Sequence, residues 1–291
     1  MSLVLGSVVL GILSGGIYAL MAVGLTLSFG VLEVINIAQG MLVVVGAYLS
    51  FTMQSYWHVD PLLGLLVTVP AMFLLGFGIE WAFLRPLKRD RVALSILVTY
   101  AVALVLEGLA GLVFGDNFVA IHAWYVNAAV PVFGLYIADI YLMGFALAIL
   151  LLGGVYLLLY RTEFGAALRA TVQNREAAVL LGIDVQRIST LTFAIATGLT
   201  AAGGMLFGAL AAFNANSMLD LISRLLMIII LGGMGSMGGA LVASLLMLVS
   251  ENVVAVTWTP TWSTFVFFVI TVVVMVLRPQ GLFGAPPARK V

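Results

Sequence analysis

The sequence predicts an all-α, polytopic integral membrane protein of about eight transmembrane helices with glycine-rich helix breaks. Three observations carry that expectation. Only 8% of the 291 residues are charged, and 64% are apolar. The apolar residues also gather in stretches near or above the roughly 20 residues that a helix needs to cross hydrocarbon. A soluble domain carries about a quarter charged residues, so water is not the solvent for most of this chain. In lipid every backbone polar group must be satisfied internally, which leaves helices or a closed barrel. Barrel strands alternate polar and apolar residues, and these stretches do not. Residues 1–291 read as one transmembrane domain.

In order, the apolar stretches cover residues 3–29, 62–84, 92–114, 141–160, 189–213 and 225–250, with shorter ones at 38–56 and 262–277. The first has no Lys or Arg ahead of it and runs too long for a cleavable signal peptide. Eleven of the twelve basic residues fall in three segments: Arg85, Lys88, Arg89 and Arg91; Arg161, Arg169, Arg175 and Arg187; and Arg278, Arg289 and Lys290. Lys and Arg mark cytoplasmic loops, so all three segments, the C-terminus included, are expected inside. Residues 115–131 contain neither and are expected outside. The chain has no cysteine, which excludes disulfides and thiol chemistry.

Parity then demands an even number of crossings between the second basic segment and the tail, yet only three stretches lie there. The run Gly232-Gly233-Met234-Gly235-Ser236-Met237-Gly238-Gly239 is where one of them breaks, because each mid-helix glycine costs about 1 kcal/mol relative to alanine. It reads as a tight cytoplasmic turn or the tip of a re-entrant segment; the bland alternative is a continuous helix with a close-packing face on Gly235 and Gly239. The polar connection at residues 33–40, with Asn36, Gln39 and Gly40, interrupts the N-terminal stretches in the same way. Three crossings before the first basic segment would put the N-terminus outside.

Residues 161–189 form the most informative loop. Four arginines would cost on the order of 12 kcal/mol in hydrocarbon, so the loop lies outside it. Phe164, Ala167, Leu168 and Val172 nevertheless keep a helical rhythm. A second short helix follows, with Asn174 as N-cap, Glu176 in the first turn and Gly182 as its stop. Leu180 and Leu181 would stand exposed on it unless a partner, or the rest of the chain, covers them.

Glu176-Ala177-Ala178-Val179-Leu180-Leu181-Gly182 resembles the EAA-x-x-x-G loop through which permeases of bacterial ABC importers engage their ATPases. Together with Ile35-Asn36-Ile37-Ala38-Gln39-Gly40, the glycine run at 232–239 and the closing Arg278-Pro279-Gln280-Gly281-Leu282-Phe283-Gly284, it resembles the permeases of the branched-chain amino acid importer family (LivH/LivM type). The resemblance implies a heteromeric importer in the bacterial inner membrane, surrounded by lipid: a second homologous permease chain forming a heterodimer, two cytoplasmic ATP-binding subunits and an extracytoplasmic solute-binding protein. It assigns ATPase coupling to Arg175, Glu176, Ala177, Ala178, Leu181 and Gly182. It points to branched-chain amino acids as cargo, although similar permeases serve urea, short amides and aromatic acids. Many related sequences carry His where Gln39 stands, and Gln cannot carry charge. No cofactor is expected in this chain, with ATP and Mg held by the partner ATPases. The residues agree on that point, because a phosphate-cradling loop needs G-x-x-x-x-G-K-[ST] and the only lysines are Lys88 and Lys290.

Polar groups at membrane depth are the candidates for the translocation pathway, since irregular or polar backbone is tolerated there only inside protein or along a cavity. They are Asn36, Gln39, Gly40, Glu107, Gly232, Gly233, Gly235 and Ser236. Glu107 lies midway along its stretch, whereas Glu33, Glu80 and Glu251 lie near stretch ends, where headgroup exposure is expected. Asp220 and Arg224 are spaced to pair. His58 and His122 stand apart in outer connections, so no metal site is expected. No catalytic triad, carboxylate pair or nucleic-acid surface is visible either, and the chain does not read as an enzyme. The alternative class is a self-contained channel or ion-coupled secondary transporter, which explains the breaks and Glu107 but not the EAA-like loop.

Overall fold

The computed structural model describes residues 2–32, 34–87, 91–132 and 135–284; Glu33, Lys88, Arg89, Arg289 and Lys290 lie outside them. The N-terminal third contains α1 (Ser2–Leu32), α2 (Gln39–Trp57) and α3 (Pro61–Ile79), with a π-helical turn at Glu80–Leu84, then α4 (Arg91–Phe114). Next come the one-turn α5 (Trp124–Asn127), strands β1 (Ala129–Val132) and β2 (Leu135–Ala138), and α6 (Asp139–Arg161). The remainder is α7 (Glu163–Gln173), α8 (Arg175–Leu180), α9 (Val185–Leu210), α10 (Met218–Gly232), α11 (Met237–Thr257) and α12 (Pro260–Leu277). Among the described residues, eight of these helices are long and apolar enough to cross a membrane. The expected all-α architecture has one departure: β1 and β2 pair antiparallel, from Ala129↔Ala138 to Val132↔Leu135.

α2 is not one of the eight, because Gln39, Gln54, Tyr48 and Tyr56 dilute its apolar content. It begins inside the bundle. Gln39 sits against Met21 of α1 and Thr200 of α9, well short of either helix end. The far end of α2 reaches the Arg-free connection, where His122 donates its backbone N–H to Gln54 Oε1. At that same end Val119 bridges Phe213, and Tyr125 donates to Asp60 Oδ1 at 3.4 Å. Burial, reinforced by the Asp60 carboxylate, raises the Tyr125 pKa and keeps the phenol a donor.

The centre is α1 and α9, most of whose residues are buried, while α4 and α12 bury only a minor share of theirs. Lipid tails are as apolar as leucine, so helix association rests on close van der Waals approach and internal hydrogen bonds rather than on water exclusion. The central helices have the composition that this demands. A Cβ at Gly204 of α9 would stand 2.2 Å from the Val43 carbonyl of α2, so only glycine lets these backbones meet. The buried hydroxyls of Thr192, Thr197 and Thr200 donate back to carbonyls one turn earlier, at 2.7, 2.9 and 2.8 Å. Those bonds satisfy them without a partner helix.

Candidate functional site

At the arginine-rich end, three of the motifs converge. The glycine run is broken: α10 stops at Gly232, α11 starts at Met237, and Gly233 and Gly235 hold positive φ of 98° and 87°. Side chains rarely adopt that conformation, so these two glycines permit the reversal. Ser236 caps α11 by accepting from Gly239 N at 3.1 Å. Across the turn the helices touch, and a Cβ at Gly239 would lie 2.1 Å from the Gly232 carbonyl. Gly238, by contrast, faces open space.

The segment after α12 clasps this turn. Leu282 N donates to Leu231 O at 2.8 Å and Phe283 N to Gly232 O at 3.1 Å. These are carbonyls that a helix C-terminus leaves without intrahelical partners. Gly281, at φ 77°, is what allows the tail so close, since a Cβ there would meet Gly233 N at 2.6 Å. The turn, the last residues of α1, the end of α6, α7 and Phe283 border an open cleft of about 640 Å³, lined by Gly235, Ser236, Arg169 and Tyr160 among others. Arg169 donates to the Leu159 carbonyl and stacks its guanidinium 5.0 Å over the Tyr160 ring.

The adjacent loop helices have the expected caps. Thr162 opens α7 by accepting from Gly165 N at 3.1 Å, and Asn174 opens α8 by accepting from Ala177 N at 2.9 Å. Gly182 ends the turn at φ 81°, with Gly182 N donating to Val179 O. Ala178 is the side that packs inward, and Arg175 and Ala177 are half-buried. Glu176 and Gly182 are exposed, and Leu180 and Leu181 remain 88% and 79% exposed. The chain therefore leaves uncovered the two leucines whose burial the sequence left open.

The other pathway candidates lie elsewhere. Asn36 and Gln39, each 1% exposed, are held inside the bundle. Asn36 Nδ2 donates to Gln39 Oε1 at 3.3 Å, and Gln39 Nε2 to Thr200 Oγ1 at 2.9 Å and to the Met21 carbonyl at 3.3 Å. Thr99 Oγ1 on α4 accepts from Ile37 N at 3.1 Å, closing the irregular stretch from a third side. Asn36 Oδ1 has no partner among the described residues. Gly40 lets α2 approach α10, its Cβ position falling 2.5 Å from the Met218 carbonyl. These residues fasten the break; they line neither the cavity above nor the smaller one described below. Glu107 is half-buried on α4 and lines neither cavity.

Two carboxylates expected among headgroups are instead engaged in protein. Glu80 is fully buried in the π-helical turn, where Thr190 Oγ1 donates to it at 2.5 Å. Glu251 grips Arg224 Nη1 with both oxygens, at 2.7 and 2.8 Å, while the anticipated Asp220 accepts from Arg224 Nε at 3.1 Å. Sequence spacing could find the i, i+4 partner but not the one 27 positions away. In the sequence the two charges flank the apolar stretch 225–250, and nothing in that spacing brings them together.

No solved structure matches the chain. Among proteins matched by sequence, a probable branched-chain amino acid transport permease protein LivH of Methanocaldococcus jannaschii is 30% identical, over 94% of this chain and 90% of its own length. The high-affinity branched-chain amino acid permease BraD of Pseudomonas aeruginosa is 27% identical, over 97% and 96%. A probable LivM permease of Methanocaldococcus jannaschii matches at 23% over 94% and 92%. The model for the permease component of branched-chain amino acid transport systems covers residues 7–275. With its eight apolar helices, broken glycine run and capped loop helix, this chain belongs to that family of multi-pass transport permeases.

Proposed function

We propose that this chain is one of two membrane subunits of a bacterial inner-membrane importer, driven by separate cytoplasmic ATPases and fed by an extracytoplasmic solute-binding protein. The cargo is a branched-chain amino acid or a related small zwitterion. The carrying observation is α8: a short helix, capped at both ends, that offers Leu180 and Leu181 to a partner beside exposed Glu176. Two adjacent leucines exposed at a capped turn are apolar surface of the kind that marks a protein–protein contact. The basic end is the cytoplasmic one by the Lys/Arg bias, so α8 faces the compartment that holds ATP. ATP and Mg are then bound by the partner chains, which supply the hydrolysis.

In this reading Arg175, Glu176, Ala177, Ala178, Leu181 and Gly182 form the coupling element. Motion of α8 reaches the bundle through α7 and the glycine turn, which share the cavity lined by Arg169, Gly235 and Ser236. The transport route runs along the face shared with the second permease, and the break at Asn36, Gln39 and Gly40 shifts behind it as a hinge. Cysteine cross-linking tests the docking. Leu181→Cys, in a chain otherwise free of cysteine, should cross-link to an ATPase subunit in the assembled importer, while Trp57→Cys at the opposite end should not. Cross-linking at both positions or at neither removes the assignment.

A further inference from the structure

The second cavity lies at the end of the bundle opposite the arginines and has a volume of about 280 Å³. Six helices meet there. Tyr141 is in the first turn of α6, Ser263 in the first turn of α12, and Ala211 follows the end of α9. Its polar wall is formed by Arg224, Glu251, Asn252, Tyr18 and Tyr141, and its apolar wall by Ile17, Phe207, Leu210 and Leu248. At this size, close to the lower bound of roughly 300 Å³ for ligand sites, it admits only a small solute.

The charges are unusual for such a place. The Arg224 and Glu251 side chains are only 17% and 14% exposed, and both sit within helices apolar enough to cross a membrane, where a charged residue is a candidate for function. Arg224 spends Nε on Asp220 and Nη1 on Glu251, while Nη2 makes no hydrogen bond among the described residues. Nη2 is not among the buried unpartnered atoms, so it is reachable. The lining thus presents the Nη2 end of a guanidinium, whose Cζ lies 5.9 Å from the centre of the Phe267 ring, beside a carboxylate and next to apolar side chains.

We propose that this cavity is a transient binding site for the α-amino and α-carboxylate groups of an aliphatic amino acid, resting on the importer reading above. The carboxylate would take the Arg224 Nη2 donors and the ammonium the Glu251 carboxylate, with the aliphatic side chain against Phe207 and Leu210. The argument is one of charge balance. A lone charge brought into a mostly buried site is costly because it is left uncompensated. A zwitterion brings one charge of each sign, so each half meets its opposite while the Arg224–Glu251 pair stays formed. A monoanion or a monocation brings net charge and meets only one of the two partners. Arg224 and Glu251 already partly neutralise each other, so the site binds weakly, which suits a solute that must leave again.

The test is ligand-observed NMR on the assembled importer without its binding protein, combined with uptake by the complete importer. The probes are leucine, 4-methylpentanoate (no ammonium) and 3-methylbutylamine (no carboxylate). Leucine should bind at least about tenfold more tightly than either analogue, a difference of about 1.4 kcal/mol. Glu251→Gln should erase the preference for leucine over 4-methylpentanoate. Equal binding of all three probes, or no binding of leucine, overturns the proposal without any variant. The charge swap Arg224→Glu with Glu251→Arg restores a structural ion pair but reverses the site. Uptake restored to the wild-type rate would overturn the proposal, and an assembled complex with uptake still lost supports it. Failure of the importer reading looks different: binding-protein-dependent uptake of any amino acid would be absent in the wild type, and both ideas would fall together.

Discussion

At the scale of single residues, the proposed docking helix α8 turns on three positions. Asn174 satisfies an N–H that the helix itself cannot, and replacing such a cap with alanine costs roughly 1 kcal/mol. In a helix as short as α8 that is enough to fray it. Gly182 has open space around it, so Gly182→Ala tests backbone alone: a left-handed φ of 81° costs an L-residue roughly 1–2 kcal/mol. Glu176 is exposed in the first turn, where the positive end of the helix dipole favours a carboxylate. Glu176→Lys should leave the permease inserted at its normal level yet lower uptake about tenfold, the weight of roughly 1.4 kcal/mol, with ATP hydrolysis uncoupled. Immunoblots of membranes and uptake assays separate the two effects; normal coupled uptake would count against the docking role. These positions were legible in the sequence because cap chemistry acts within three residues. The Arg224–Glu251 pair was not, and neither was the burial of Glu80, because both depend on which helices the fold brings together.

At the scale of elements, the glycine turn is a packed joint rather than a loose linker. Gly232 and Gly239 allow two helices to touch, and Gly233 and Gly281 allow the tail to seat on the turn. Gly239→Ala forces a shift of backbone against backbone and should destabilise the chain by about 1–3 kcal/mol, as overpacking does. Gly238→Ala meets nothing and should change stability by no more than about 0.5 kcal/mol. Thermal melts followed by size-exclusion chromatography read the difference, and equal melting temperatures would contradict the joint. Ending the chain after Gly281 removes the two tail hydrogen bonds, each worth about 1 kcal/mol, and should lower the melting temperature as well. The break itself was legible from parity and glycine density. The clasp was not, because nothing in the Arg278–Gly284 run states which turn it will meet. The same holds for residues 34–38. Their polarity marked an interruption, but the bonds to Thr99, Met21 and Thr200 that fasten it come from distant helices.

At the scale of the molecule, the crossing pattern follows from charge bias plus the two breaks, and the fold adds that α2 starts within the bundle. The arrangement predicts that Ser236→Cys and Leu181→Cys react with a membrane-impermeant thiol reagent only from the cytoplasm, and Trp57→Cys only from outside. Labelling of Ser236→Cys and Trp57→Cys from the same side would contradict the threading. The proposed division of labour gives ATP hydrolysis to the partner chains, which would cover Leu180 and Leu181. The most direct test of the whole account is leucine uptake into proteoliposomes loaded with ATP and Mg, comparing this chain alone with the complete set of two permeases, two ATPases and binding protein. The account predicts uptake only with the complete set. Concentrative uptake by the chain alone, driven by an ion gradient and indifferent to ATP, would contradict it and make the protein an autonomous carrier.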